Sequence, residues 1–377
     1  MNIFDKSGIR SIDFELTKSA VKSLQKEWMH FANNEISPYP DNKFKGRGIV
    51  ICSGGIKYFT CAWIAVKIIR KWGCKLPIEI WYKGDELSPS SIKEMSEQNV
   101  FCKNILDYGD DSSHGWVLKP LSILHSNFKE IIYIDADNVC LSDPEALFEM
   151  EGYKETGALF WPDYWETAED NPIWNIMKVP YRPMKEQESG QMVIHKEKCW
   201  KALNLCCYLN RMSHIYYKLL LGDKDTFRFA WMALNYPFQI IQKEPDTCGY
   251  FDENKDFMGH TMVQSTNTGH ILFLHRNLLK WDLTRNNELV WKNIKRFKND
   301  ASVKEYFMEY SNRNYHPYVD VQGDLEILDL EEQLGKVENY CQEYLIDLRN
   351  KTFYNDLLIY SYLQAKRFRD SEFLLNA

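Results

Sequence analysis

The sequence predicts an α/β fold: a Rossmann-like, mostly parallel sheet flanked by helices, with helical N- and C-terminal extensions. Three observations predict it. From Gly48 onward, short apolar runs of strand character alternate with helical segments, the spacing expected of right-handed βαβ units. One such run, Ile131-Ile132-Tyr133-Ile134, ends directly in Asp135-Ala136-Asp137-Asn138. No Pro/Gly/Ser-rich linker interrupts the chain. Residues 46–285 therefore read as one α/β domain between helical extensions over 1–45 and 286–377.

The elements follow in order. Residues 11–36 form an amphipathic pattern with Phe14, Leu16, Val21, Leu24, Trp28 and Phe31 as apolar points. Residues 48–53 (GIVICS) read as a strand and Ser53-Gly54-Gly55 as a tight turn. A helix over 58–72 is ended by Gly73. PIEIWY at 77–82 is a second strand, 88–98 a helix with Pro89 in its first turn, and 100–106 a third strand. Residues 118–127 read as a helix and 130–135 as a strand. Beyond it, 157–161 is a strand, followed by a polar and aromatic loop to about 183. Residues 190–195 form a strand, 197–221 and 226–234 are helical, and 269–274 is a strand leading into His275. From about 326 to the end, Leu, Glu and Tyr suggest two helices.

Composition narrows the function. At 377 residues, 45% hydrophobic and 26% charged, the chain can bury a substantial core. Its net charge of −7 argues against nucleic acid and anionic membranes as partners, since both need basic surface. Aromatics reach 14%, and such rings either fill a core or stack on bases and sugars. The ten cysteines form no Cys-x-x-Cys pair, so zinc is not expected; they read as free thiols of a reducing compartment. The start, MNIFDKSGIRSIDFELTK, lacks the apolar core of a signal peptide, and no run of about 18 apolar residues predicts a membrane span. The expectation is a cytoplasmic protein, or a Golgi-lumenal one if the chain is trimmed.

Asp135 and Asp137 sit where a buried strand ends, and residues two apart on a strand share a side. Capping or a turn would use such acids too. Carboxylates are hard ligands suited to magnesium or manganese, and an ion there is placed to hold a diphosphate. His275, at the end of the apolar run GHILFLH, completes a mixed oxygen and nitrogen set. Lys280 can reach a phosphate, and so can Lys119, just ahead of the strand. Ser53, Gly54 and Gly55 allow close approach of a ligand before a helix N-terminus. Glu188-Ser189-Gly190-Gln191 brings a polar cluster into a strand through a glycine, which permits a close backbone contact. Gly222-Asp223-Lys224-Asp225 joins two helices with two acids and a lysine. Trp161, Asp163 and Trp165 combine rings with an acid, a way to grip an acceptor sugar.

The blocks WVLKPLSILHSNFKEIIYIDADN, ESGQMVI, GDKDTFRFAW and FLHRNLLKW, in that order, resemble the fungal Golgi-type α-mannosyltransferases over residues 46–285. A wider similarity is to glycogenin and bacterial lipopolysaccharide galactosyltransferases. The resemblance implies a GT-A fold and a retaining glycosyltransferase, with Mn2+ or Mg2+, GDP-mannose as donor and a glycan as acceptor. It implies Asp135, Asp137 and His275 as metal ligands. Ser53, Gly54, Gly55, Lys119, Ala136 and Lys280 would then surround the nucleotide and diphosphate. Glu188, Ser189, Gly190, Gln191 and Asp225 would line the donor sugar. Asp223 would hold sugar hydroxyls, and Lys224 would stand near the β-face of the anomeric carbon, where the wider family has Gln. Glu188, Asp223 and Lys224 are thus the catalytic candidates. Two other readings share the motifs: a glycogenin-like UDP-sugar transferase, and a GT-A module that binds glycans without chemistry.

Overall fold

The computed structural model describes residues 2–110, 115–310 and 317–375. In chain order its strands are β1 (Asn2–Phe4), β2 (Ile9–Ile12), β3 (Arg47–Cys52), β4 (Ile78–Tyr82), β5 (Val100–Asn104), β6 (Glu130–Ile134), β7 (Asn138–Cys140), β8 (Ala158–Thr167), β9 (Lys185–His195), β10 (Gln239–Ile240), β11 (Asp246–Phe251), β12 (Phe257–Ser265), β13 (Ile271–His275), β14 (Asn293–Phe297), β15 (Lys304–Tyr310), β16 (Pro317–Gly323) and β17 (Leu325–Asp329).

The first sheet runs β1-β2-β8-β9-β6-β3-β4-β5, with β10 beside β8. Strands β6, β3, β4 and β5 are parallel, whereas β9 runs antiparallel to both β6 and β8. Sequence alternation builds two covered faces. Ile132 and Ile134 lie with Ile49, Ile51, Ile78 and Ile80 in one core. Ile131 and Tyr133 lie with Val50, Met192 and Ile194 in the other. Both faces are apolar because helices cover both, as parallel strands require. The helix Gly55–Lys71 buries ten residues between the sheet and the C-terminal helices, with Trp63 against Phe353 at 5.7 Å. Helices Lys196–Arg211 and Lys224–Ala233 cover the opposite face. This is the Rossmann-like, mostly parallel arrangement the sequence predicts.

Winding places the site. From β3 the chain goes outward to β4 and β5, then returns to β6 on the other side of β3. The crevice beyond the carboxyl ends of two such strands is where α/β sheets bind ligands. Ser53 follows β3 there, and Asp135 follows β6. Asp135-Ala136-Asp137 then crosses to a second, antiparallel sheet of order β17-β14-β11-β12-β13-β7.

Three segments differ from expectation. The helical extensions are present at both ends, but each also contributes strands. The N-terminal β1–β2 hairpin joins the first sheet through β8, and β14 and β17 extend the second. Leu-Glu-Ile-Leu-Asp at 325–329 has helix-forming composition, yet its pairing with β14 decides its state, as non-local partners do for strands. The first part of the loop expected after Trp161 is instead the second half of β8, which continues through Pro162 with register shifts on either side, and Pro172–Ile176 further on is a short helix. A proline is tolerated in a strand at such irregularities. All ten cysteines are free and eight are buried. Among the described residues, no helix is long and apolar enough to cross a membrane.

Candidate active site

The turn between β6 and β7 brings distant groups to one point. β7 pairs with β13 so that Asn138 faces His275. β6 pairs with β9 so that Ile134 faces Gln191. His275 Nε2 therefore lies 3.2 Å from Asp137 Oδ1 and 3.8 Å from Asp135 Oδ2, while its Nδ1 lies 3.3 Å from Glu188 Oε1. Lys280 pairs with the other oxygen of Asp137. Lys119 Nζ reaches Asp135 Oδ2 and Asp223 Oδ2, both at 3.1 Å, and donates to Ser189 Oγ at 2.8 Å. Ser189 Oγ in turn donates to Asp223 Oδ2 at 3.1 Å. Metal, phosphate and sugar candidates from four segments thus form one connected cluster.

Its electrostatics favour a cation. Asp135, Asp137, Glu188 and Asp223 are met directly by two ammonium groups, Lys119 and Lys280, and by the His275 imidazole, with Lys224 just beyond Glu188, so carboxylates outnumber their direct ammonium partners. Burial opposes the charge on Glu188, yet His275, Lys119 and Lys224 together hold its carboxyl at about 2. Burial raises the Asp223 carboxyl, with Lys119 opposing. For Lys119, burial is outweighed by Asp135, Asp223 and Glu188, so the ammonium is held well above its usual range. The residues also fit a divalent ion geometrically. One ligand atom each from Asp135, Glu188 and His275 lies within 4.8 Å of the others. The buried His275 Nδ1, though near Glu188, has no aligned hydrogen bond. Two carboxylates and an imidazole are donors suited to manganese or magnesium. Glu188 joins the ligand candidates here, whereas sequence reasoning assigned it to the sugar.

A second cluster adjoins the first. Lys224 reaches Asp163 Oδ2 at 2.8 Å and Asp225 Oδ2 at 3.4 Å, and also pairs with Glu186. Asp225 accepts from the Gln187 backbone at 3.0 Å, forms an ion pair with Arg228 at 2.9 Å, and is fully enclosed. Burial pushes Asp163 up to about 6 against Lys224, with Glu188 and Glu186 adding to the rise.

Several predicted residues take other parts. Gly190 faces protein rather than open space: a Cβ there would meet His275 Nδ1 at 2.5 Å. Gln191 is fully buried, and its Oε1 accepts from Asn138 at 2.6 Å, which ties the turn rather than lining a pocket. Gly54 abuts Glu86, whose Oε2 a Cβ would meet at 2.2 Å. Gly55 has φ +59°, a left-handed conformation suited to glycine. Ser53 Oγ is buried without a partner at the end of β3, and Ala136 is buried in the turn. The acceptor expectation is corrected at its rings. Trp161 is 0% exposed, with its ring 5.6 Å from Phe273 and its indole donating to the Ser265 carbonyl. Trp165 is 2% exposed between Phe4 and Tyr306. The exposed tryptophan is Trp116, at 58%, packed over Gly222 beside Asp223. Sequence reasoning also missed Tyr133, whose hydroxyl donates to Asp135 Oδ1 at 2.6 Å. The Tyr-x-Asp spacing on one strand face was its available signal.

Comparison with known proteins bears on this site. A family model described as "Mannosyltransferase putative" matches residues 46–187 and 179–272. The alpha-1,2-mannosyltransferase MNN21 of Candida albicans is 27% identical over 66% of this chain and 47% of its own length. MNN2 of the same organism, also an alpha-1,2-mannosyltransferase, is 25% identical over 80% of this chain and 59% of its own. The chain spans about half the length of the curated relatives it matches. Among solved structures, the glycosyltransferase GlyE of Streptococcus pneumoniae superposes with a TM-score of 0.37 at 12% identity, over 52% of this chain and 46% of its own.

Proposed function

The chain belongs to this mannosyltransferase family, and from that premise we propose that it transfers mannose from GDP-mannose to a glycan hydroxyl, with a divalent metal and with retention at the anomeric carbon. The observation that carries the reading is the convergence of Asp135, Asp137, Glu188 and His275 where β6 crosses to β7, with more carboxylates than ammonium groups bonded to them. Asp135, Glu188 and His275 would hold the ion, with Asp137, 3.2 Å from His275, as the further ligand candidate. When bound, the metal supplies positive charge opposite the donor diphosphate.

The chain's own residues do the rest. Lys280 and Lys119 offset charge that develops on the departing diphosphate. Ser189 and Asp223, joined to each other and to Lys119, present hydrogen-bonding groups to sugar hydroxyls. The acceptor hydroxyl attacks from the face that the diphosphate leaves, and its proton passes to the departing phosphate oxygen. A double displacement through Glu188 or Asp223 is the rival route, and one oxygen of each carboxylate is already engaged. Glu188 Oε1 accepts from the Gly190 amide at 2.7 Å, and Asp223 Oδ2 is shared by Lys119 and Ser189. A glycosyl adduct on either residue, found by mass spectrometry, would reverse this choice.

The test is donor hydrolysis and transfer across a panel of GDP- and UDP-sugars with manganese. Turnover of GDP-mannose that disappears in EDTA is expected. Preference for a UDP-sugar would assign the donor differently, and turnover of none would leave a glycan-binding module. On the acceptor side, Trp116 replaces the buried rings in this reading. Trp116→Ala is expected to raise the acceptor KM roughly tenfold with the donor KM unchanged; an unaltered acceptor KM would remove Trp116 from the site.

A further inference from the structure

Strand β2 lies outside the residues that the family model matches, yet it delivers Arg10 to the wall of the site. Arg10 is fully buried. Its Nε donates to Glu186 Oε1 at 2.6 Å. Its other nitrogens reach Asn2 Oδ1 at 2.8 Å, the Leu219 carbonyl at 3.2 Å and Thr167 Oγ1 at 3.4 Å. The Thr167 hydroxyl donates to the same Glu186 oxygen at 2.8 Å. With Oε1 occupied twice, Glu186 presents Oε2 to Lys224.

The register explains how this arises. β2 runs parallel to β8 with Arg10 opposite Thr167, and Glu186 enters on β9, which also pairs with β8. Arg10, Lys224 and Arg228 balance Glu186, Asp163 and Asp225, all of them buried. Breaking one partner of such a set leaves an uncompensated charge in the interior. A network that served folding alone could be apolar. This one instead holds a lysine adjacent to Asp223 and Glu188, in the wall of the proposed sugar pocket.

We propose that Arg10 is a positioning residue of the sugar site, a role that rests on the proposed transfer reaction: by holding Glu186 it fixes the Lys224 ammonium, so the N-terminal hairpin is part of the catalytic unit. A group displaced by about 1 Å can cost on the order of 100-fold in rate. Arg10→Met in the full chain is therefore expected to lower kcat per folded molecule by on the order of 10- to 100-fold. The donor KM and the thermal shift given by manganese with GDP stay unchanged, because the diphosphate end is untouched. Arg10→Lys recovers part of the loss. Thr167→Val keeps every charge, and it lowers kcat in the same direction; it decides the matter should Arg10→Met not fold. Unchanged kcat per folded molecule in the folded variants, whatever their thermal stability, overturns the proposal and leaves the transfer reaction standing. A wild-type protein that transfers no sugar overturns both.

Discussion

Asp137→Ala is expected to lower sugar transfer by on the order of 100- to 1,000-fold and to abolish the stabilisation that manganese with GDP gives. The two halves come from one cause. Asp137 is one of four carboxylates whose direct ammonium partners are Lys119 and Lys280, and it is itself held by Lys280 and lies 3.2 Å from His275. Removing it leaves the buried Lys280 without its direct carboxylate partner, which lowers the stability of the metal-free protein. The same removal reduces the carboxylate charge that favours a divalent ion and frees His275 Nε2 from its 3.2 Å neighbour. Thermal midpoints with and without manganese plus GDP separate the two effects. The wild-type protein is expected to gain stability on adding both, and the variant is not. A variant that retains that gain along with full transfer would dismiss Asp137 as a ligand. Loss of stability without ligands, with the gain preserved, would make it a structural acid only.

How far such residues are legible depends on whether the signal is local. The β6 run ends in two acids one residue apart, so Asp135 and Asp137 announce themselves within eight residues. His275 closes an apolar strand and is legible for the same reason. The nearness of Glu188 to His275 is different. It exists because β9 runs antiparallel to β6 while β13 pairs with β7, and neither pairing is written in a local pattern. Arg10 and Glu186 are 176 positions apart, and nothing near either names the other. Trp161 and Trp165 misled because a polar, aromatic stretch with rings beside Asp163 reads as a loop. In fact β8 runs on through its irregularities and turns both rings into the interior. The C-terminal strand β17 was hidden by Leu and Glu, whose helical preference yields to the edge of β14.

Gly190→Ala is expected to be nearly as damaging as loss of a ligand, although it adds one methyl group. That methyl would lie 2.5 Å from His275 Nδ1, 2.6 Å from Cε1 and 3.0 Å from Glu188 Oε1. The backbone has little room to yield. The Gly190 amide donates to Glu188 Oε1 at 2.7 Å, and its carbonyl accepts from the Asp135 amide at 2.8 Å and from Asn138 Nδ2 at 2.9 Å. A shift of the strand therefore carries the Asp135 turn with it, and a shift of the ring takes His275 from Asp135 and Asp137. Either way the cluster is spread. Overpacking of this kind costs about 1–3 kcal/mol of stability, and misplacement of the site lowers kcat by on the order of 100-fold. The stabilisation by manganese with GDP should vanish as well. A double-mutant cycle isolates the cause. In a His275→Ala background the added methyl meets no ring, so Gly190→Ala should cost little stability there. Equal destabilisation in both backgrounds would mean that the glycine answers to something other than His275.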